Sequence, residues 1–268
     1  MLHTYYEQET IFLLLSCYMQ CLHITKLLLC KNNKEDSHMK SIYDCSNVLT
    51  RLGETEEGRN SFGRNNKAFA RGRLNGNLKV THVLNETLYE TKLVVKTVDD
   101  KINYLPLVMS SNYIDEEVLK SSLDGRLIDA IGEFRTALID GHKKVFLYAK
   151  KINVGEDKIF IQGKKDYDLI FLKGSICKPP VYRTCTNSDR VRTQFEVAVK
   201  RRELGVDYIP CTAWSEEAEW VKDQTVGTEV WLYGMMKSRL YKKKVEGELE
   251  ETMEAFEVVV LEIDTATW

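Results

Sequence analysis

Basic and aromatic residues alternate near the C-terminal end of the chain, and they are the first candidates for chemistry. Lys237, Arg239 and Tyr241 are spaced two residues apart at the end of a largely apolar segment that predicts a β-strand. Residues at this spacing share one face of a strand. A face made of Lys, Arg and Tyr is not a core face, because charged groups require water or a counter-ion. Such a face can pair with phosphate oxygens and stack on a planar base.

Further basic residues occur in three clusters, each in a predicted loop or at the end of a predicted strand. The clusters are Arg183 with Arg190 and Arg192, Lys200-Arg201-Arg202, and Lys242-Lys243-Lys244. Clusters of this kind either border a binding groove or form solvated hairpin tips. The clusters of acidic residues in the same region fall in 216–223 and 246–254. We expect these acidic segments to lie elsewhere, which leaves the basic face without opposing charge.

The composition limits the kind of protein this can be. The chain has 268 residues, a formal net charge of −2 and 43% hydrophobic residues, which allows one large or two small globular domains. A protein that is basic overall is excluded, so a nucleic-acid surface must arise from local clustering. The chain has no GxSxG, HExxH, P-loop or GxGxxG motif, and its seven cysteines form no CxxC pair. We therefore expect no enzyme activity, no cofactor and no metal site.

The first 65 residues differ from the rest. Residues 11–30 are strongly apolar but interrupted by Gln20, His23 and Lys26, which predicts a helix and not a membrane anchor. A polar, linker-like stretch follows. The acidic start lacks the basic region of a secretory signal, so we expect a protein that is not exported and stays in the cytoplasm. Translation from an upstream start codon is an alternative origin for this segment, since Met19 and Met39 are available.

From about residue 66 the pattern changes to short segments of alternating apolar residues bounded by Gly, Pro and Asn, which is typical of strands. The predicted strands of the first half are 67–74, 89–98, 102–110, 126–136 and 143–152, and those of the second half are 168–177, 193–201, 206–214, 229–241 and 253–263. Helices are predicted at 114–122 and 215–223, after the third strand of each half.

Four landmarks recur in the same order in both halves, at a nearly constant offset. Residues 69–72 correspond to 171–174, Lys96 to Lys200, Tyr104-Leu-Pro106 to Tyr208-Ile-Pro210, and 125–132 to 227–234. This regularity indicates a duplication. Five strands with a helix after the third follow the order of an OB-fold barrel. We predict an all-β-dominated chain with two tandem five-stranded OB-fold barrels, at 66–155 and 168–264, behind a helical N-terminal segment at 1–65.

The second copy resembles bacterial single-stranded DNA-binding proteins. The resemblance rests on the segments 179–183 (PPVYR), 195–202 (FEVAVKRR), 207–214 (DYIPCTAW) and 227–234, followed by 237–241 (KSRLY). It covers about 168–263, and the first copy resembles the same family more faintly. The tandem arrangement is similar to the doubled form of clostridial, Gram-positive relatives.

This resemblance implies that Tyr208, Trp214 and Tyr241 stack on bases. Because an aromatic face accepts any base, the implied function is sequence-nonspecific binding that protects single-stranded DNA in replication, recombination or repair. The implied contact residues are Tyr182, Arg183, Arg190, Arg192, Lys200, Arg201, Arg202, Tyr208, Trp214, Lys237, Arg239, Tyr241, Lys242 and Lys243.

The first copy departs from the family pattern. Ser110 and Ile139 stand where Trp214 and Tyr241 stand in the second copy, and Tyr104 is retained. We expect the first barrel to act as a pairing partner, a weak auxiliary site or a protein-binding surface. The alternative is that it stacks bases on other residues, such as Phe134 or Tyr148.

The resemblance also bears on partners. The family assembles several barrels around one strand, so we expect single-stranded DNA, a second copy of this chain in a homodimer, and replication or repair proteins as partners, and no membrane. The chain ends without the acidic tail that recruits such proteins in the family, which puts tail-mediated recruitment in doubt. The competing hypothesis is an OB-fold module that binds protein or RNA and has no role on single-stranded DNA.

Overall fold

The computed structural model describes residues 65–83, 86–96, 102–139, 142–155, 166–185, 190–201, 205–244 and 250–266. The helix predicted within 1–65 lies outside these residues. The strands are β1 (Asn66–Val83), β2 (Thr87–Lys96), β3 (Ile102–Ser110), β4 (Leu127–Ile139), β5 (His142–Val154), β6 (Tyr167–Ile176), β7 (Val181–Thr184), β8 (Val191–Lys200), β9 (Val206–Trp214), β10 (Glu229–Lys244) and β11 (Glu250–Thr265). The helices are α1 (Glu116–Lys120) and α2 (Ser215–Lys222).

Two sets of five strands each close into a circuit of hydrogen-bonded neighbours. In the first circuit the order is β1-β2-β3-β5-β4, and β4 pairs back onto β1. In the second circuit the order is β6-β8-β9-β11-β10, and β10 pairs back onto β6. Each circuit has one parallel pair, β3 with β5 and β9 with β11. The chain is therefore mostly β, and α1 and α2 follow the third strand of their circuits as predicted.

The hairpin of β7 and β8 is the main departure from the predicted strands. Residues 181–184 pair with 191–194, where the sequence predicted a loop. Val181, Tyr182 and Thr184 are residue types that favour extended backbone, and the start of β8 offers them an unpaired edge. The expectation that Arg183, Arg190 and Arg192 all lie on a loop is wrong for Arg183 and Arg192, which face each other across this ladder.

Glycines hold corresponding positions where one strand passes close to the next. A Cβ atom on Gly72 of β1 would lie 2.2 Å from the carbonyl oxygen of Val94 on β2. A Cβ atom on Gly174 of β6 would lie 2.3 Å from the carbonyl oxygen of Ala198 on β8. Only a residue without a side chain fits these crossings, so the landmark glycines close both circuits by the same means.

Strands β1 and β6 join the two circuits into one sheet by antiparallel pairing. Side chains then cross the junction in both directions. On β3, the Asn103 amide donates to the carbonyl of Met236 on β10. On β9, the Asp207 carboxylate accepts the backbone N–H of Thr136 on β4 at 2.7 Å. Asn103 and Asp207 occupy corresponding positions, so each circuit binds the backbone of the other in the same way.

A buried carboxyl at the start of β6 lacks a full set of partners. Asp168 accepts a hydrogen bond from the Met236 N–H, but its Oδ2 has no hydrogen-bond partner among the described residues. Burial raises the pKa of Asp168 to about 7, against the opposing effect of Lys237. At the corresponding position of β1, the Asn66 side chain accepts the Phe134 N–H and donates to the Phe134 carbonyl, each at 2.8 Å.

We expect D168N to stabilise the fold, and more strongly at pH 8 than at pH 5. The folded-state pKa of Asp168 lies above its ordinary value of 3.8, so its stabilising contribution is lost as the pH rises toward 7. Asparagine stays neutral and can donate to the Met236 carbonyl. Urea denaturation at pH 8 should show a gain of about 1–3 kcal/mol in the free energy of unfolding. A gain of equal size at both pH values, or a loss at pH 8, would contradict this explanation.

Candidate nucleic-acid interface

The outer face of β9 carries two aromatic side chains. Ile209, Cys211 and Ala213 alternate into the core, so the even-numbered residues of this strand point outward. Tyr208 is 47% exposed, and Trp214 is half-buried at the end of the strand. Six residues of extended chain separate the two rings by about 20 Å. Two π-faces therefore lie along one side of one strand.

Arginines extend the row that starts at Trp214. In the ladder, Trp214 is opposite Arg192 on β8, and Arg192 is opposite Arg183 on β7. Directly opposed residues of antiparallel strands share a face. Arg183 is exposed and Arg192 is half-buried. Lys200, the exposed last residue of β8, lies on the same face beyond Tyr208, so cations border the aromatic residues at both ends.

The chain turns sharply after Trp214. Ser215, the first residue of α2, has φ of 52°, a left-handed conformation that disfavours residues with a side chain. The Thr193 hydroxyl of β8 donates to the Ala218 carbonyl of α2 at 2.7 Å and fixes the helix against the circuit. This turn holds Trp214 at the strand end with its ring only partly covered.

Tyr182 lies on the other face of β7 from Arg183. Its hydroxyl donates to the Glu219 carboxylate of α2 at 2.6 Å, and the Lys222 ammonium lies 5.1 Å from the centroid of its ring. The contacts of Tyr182 thus fasten β7 to α2. They place it apart from the row of Trp214 with the two arginines.

Arg201 also makes contacts within the protein. Its guanidinium forms two hydrogen bonds to the Asp207 carboxylate, at 3.0 and 2.7 Å, and one to the Thr136 carbonyl of the first circuit at 2.9 Å. It therefore secures the junction of the circuits. Arg190 is exposed in the loop before β8, and Arg202 lies outside the described residues.

The remaining expected contact residues fall on β10, namely Lys237, Arg239, Tyr241, Lys242 and Lys243. Lys237 is half-buried. The side chains of the other four lie outside the described part of the chain, and their backbone register is described. The alternation of 237, 239 and 241 along one strand is as predicted.

The basic end of β10 has acidic neighbours. In the ladder with β11, Lys243 is opposite Glu251 and Lys244 is opposite Glu250. The expectation that the acidic segment 246–254 lies elsewhere is therefore wrong, because part of it forms the first residues of the adjacent strand. The register therefore places basic and acidic residues at opposed backbone positions at this end of β10.

The first circuit has different chemistry at the corresponding positions. Ser110, at the position of Trp214, is fully buried and its hydroxyl donates to Glu86. Phe134 is completely buried, and Tyr148 is 5% exposed and donates to Glu86 at 3.1 Å. The alternative of base stacking on Phe134 or Tyr148 is therefore wrong, because a base needs an exposed ring. Tyr104 keeps a ring that is 38% exposed.

A lysine of the first circuit lies beside Tyr208, and the sequence pattern did not predict this contact. The Lys143 Nζ donates to the Tyr208 carbonyl at 3.1 Å and lies 6.0 Å from the centroid of the Tyr208 ring. The two residues are 65 positions apart, so no spacing rule connects them. The signal that could have found Lys143 is the contact of β4 with β9, which brings the β4–β5 hairpin to Tyr208.

Other kinds of site receive no support from the described residues. None of their His, Cys, Asp and Glu side chains form a group of three or more that could hold a metal ion. Neither described helix is long and apolar enough to cross a membrane. Cys177, Cys185 and Cys211 are free thiols.

The face of β7, β8 and β9 lies inside a segment that matches a known family. Residues 168–265 match the Single-strand binding protein family. These residues form a single-strand binding protein domain. Every residue of the row from Arg183 to Trp214, together with Tyr208 and Lys200, belongs to this domain. No curated protein matches the chain.

Solved structures resemble the fold of the single-strand binding protein domain and extend beyond it. The wild-type single-stranded DNA binding protein from Thermus aquaticus has a TM-score of 0.56 and 17% identity, with 76% of this chain and 93% of that chain covered. A deletion mutant of that protein has a TM-score of 0.56 and 16% identity, with 76% and 95% covered. The covered part of this chain is longer than either circuit alone, so the similarity of fold includes strands from both circuits. The mostly β architecture matches the OB-fold.

Proposed function

We propose that the protein binds single-stranded DNA without sequence preference, through the outer face of β7, β8 and β9. The observation that carries this proposal is the cross-strand row of Trp214, Arg192 and Arg183 on a domain of the single-strand binding protein family. Exposed Tyr208 and Lys200 continue the same face. An aromatic ring can stack on any base, and the cations donate hydrogen bonds to phosphate oxygens of the connecting backbone.

The energetics fit a sequence-blind binder. Stacking of a base on an aromatic side chain contributes about 1–3 kcal/mol. Each phosphate that a Lys or Arg neutralises adds a slope of about −0.7 to the dependence of log affinity on log salt concentration. Because neither contribution depends on base identity, the site suits the coating of any exposed strand. The protein acts by binding, and its proposed roles are protection of single strands in replication, recombination and repair.

The finer architecture belongs to this proposal. We take the two circuits as tandem OB-fold barrels that arose by duplication, at 66–155 and 168–264. Three observations support duplication: the same strand order in both circuits, glycines at the same crossings, and Asn103 and Asp207 at the same position of the junction. The first barrel is the degenerate copy, since buried Ser110 stands in place of Trp214.

The proposed setting is the cytoplasm, in association with the nucleoid, where single strands are exposed. Replication and repair proteins are the proposed protein partners. A binding module for protein or RNA is the competing proposal, and it predicts a ligand preference that the stacking face does not explain.

We expect Y208A and W214A each to weaken binding of labelled oligo-dT by about 1–3 kcal/mol, because each removes one stacking platform. Fluorescence anisotropy at fixed salt measures the dissociation constants without relying on the tryptophan that W214A removes. Y104A is the matched control, since Tyr104 is exposed at the position in the first circuit that corresponds to Tyr208. Its effect should be small.

Unchanged affinity in both Y208A and W214A would contradict the proposed function. Tighter binding of a structured RNA than of oligo-dT by the wild-type protein would favour the competing proposal. Circular dichroism of each variant verifies that the fold is retained.

We also expect a homodimer in solution. Two chains with two barrels each would present four barrels to one DNA strand. Exposed apolar side chains, such as Leu138 at 76% and Ile102 at 58%, are available for contact between the two chains. Sedimentation equilibrium at micromolar concentration should give twice the 31.0 kDa mass of the chain. A monomeric mass would contradict the homodimer and leave the DNA-binding proposal standing.

A further inference from the structure

The β4–β5 hairpin of the first circuit reaches the proposed DNA face of the second. Lys143, on β5, forms an ion pair with Glu196 on β8. The same ammonium donates to the backbone of Tyr208 and lies 6.0 Å from its ring. Glu196 and Tyr208 both belong to the outer face of the second circuit, because Glu196 is opposite Pro210, two residues along from Tyr208.

The charges around Tyr208 do not cancel. The Glu196 carboxylate is nearly buried, and it pairs with both Lys143 and Lys178. Two ammonium groups therefore share one carboxylate beside an exposed aromatic ring. The side chain of Lys143 is 38% exposed and that of Lys178 is 67% exposed, so both are within reach of a ligand in solution.

In the corresponding contact between the circuits, the acidic and the basic residue have changed places. There, Glu254 on β11 of the second circuit pairs with Lys92 on β2 of the first at 3.7 Å. The ladders show that Lys92 corresponds to Glu196, because each is opposite the proline of its circuit, Pro106 or Pro210.

The ladders also show that Glu254 corresponds to Lys143, because the residues opposite them, Leu240 and Leu138, hold corresponding positions on β10 and β4.

Because of this exchange, each circuit receives a side chain of different charge from the other. The hairpin that reaches the second circuit brings a lysine to the side of Tyr208. The hairpin that reaches the first circuit brings a glutamate to the position corresponding to Lys143. The first arrangement holds two lysines and one glutamate, and the second is an ion pair of one lysine and one glutamate. The first therefore attracts a polyanion more strongly than the second.

We propose that Lys143 contacts a DNA phosphate next to the base that stacks on Tyr208, so that the first circuit completes the binding site of the second. This proposal rests on the proposed function. Lys143 exchanges its Glu196 partner for a phosphate oxygen, and Lys178 stays on Glu196. The nearly buried carboxylate therefore keeps a counter-ion throughout, which avoids the cost of leaving a buried charge unpaired.

The test compares four variants of the full chain in oligo-dT titrations over a range of salt concentrations. K143Q removes the cation, and we expect weaker binding at low salt and a salt slope smaller in magnitude by about 0.7. K143R keeps the charge and should keep the slope. K144Q is the matched control, because Lys144 is the neighbouring exposed lysine on the other face of β5, and its slope should stay that of the wild-type protein.

E196Q separates a DNA contact from a purely structural ion pair. It breaks the same ion pair but leaves both lysines in place, so we expect binding at least as tight as that of the wild-type protein. Equal weakening by K143Q and E196Q would overturn the proposal, because Lys143 would then act only through the ion pair. A wild-type slope in K143Q would overturn it as well.

The proposed function fails by a different result. If Y208A and W214A bind oligo-dT like the wild-type protein, the outer face of the second circuit is not the DNA site. If they weaken binding while K143Q does not, the DNA site stands and the contribution of Lys143 is refuted. Thermal unfolding of K143Q and E196Q verifies that both variants are folded under the titration conditions.

Discussion

The antiparallel pairing of β1 with β6 is the constraint on which the rest of the structure depends. It joins the two circuits through backbone hydrogen bonds over six register positions. The register fixes which side chains meet across the junction, because a slip by one residue would turn every side chain of a strand to the opposite face. The contacts of Asn103 with β10, of Asp207 with β4 and of Lys143 with β8 and β9 all require this one alignment.

On this shared scaffold the two circuits differ in their surfaces. Positions that build the fold hold equivalent residues, such as Gly72 and Gly174 at the strand crossings. Positions that would meet a ligand differ in kind. Buried Ser110 replaces Trp214, and Glu254 replaces Lys143 on the hairpin that crosses to the other circuit. The closed strand order constrains the core and the crossings of each circuit, and it sets no such limit on the residues of the outer face.

Most of the strands, and the strand that carries two aromatic residues of the candidate site, could be predicted from the sequence. Alternating apolar residues specify strands locally, and the recurring landmarks specify their order, so Tyr208 and Trp214 were placed on β9 correctly. Strand β7 was not predicted, because four residues are too few to show an alternating pattern. Its formation depends on pairing with the free edge of β8. The sequence alone allows base stacking on Phe134, because an aromatic residue in a strand carries no local sign of whether it faces the core.

The electrostatic features required the register. Lys243 and Glu251 are separated along the chain by the turn between β10 and β11, and only the ladder shows that they are opposed. Lys143 and Tyr208 come from different circuits. Charge clusters in a sequence indicate which segments are polar. The pairing of strands decides which of those charges are neutralised within the protein and which stay available to a polyanion.

The proposed division of labour between the circuits can be tested directly by hydrogen–deuterium exchange of the full chain with and without saturating oligo-dT. DNA bound to the outer face of the second circuit should slow exchange in peptides that contain β7, β8 and β9, and in the peptide at the start of β5 that contains Lys143. Peptides of β2 and β3, which contain Tyr104, should exchange at the same rate in both samples. Equal protection of β3 and β9, or protection confined to the first circuit, would contradict the assignment of the DNA site to the second circuit.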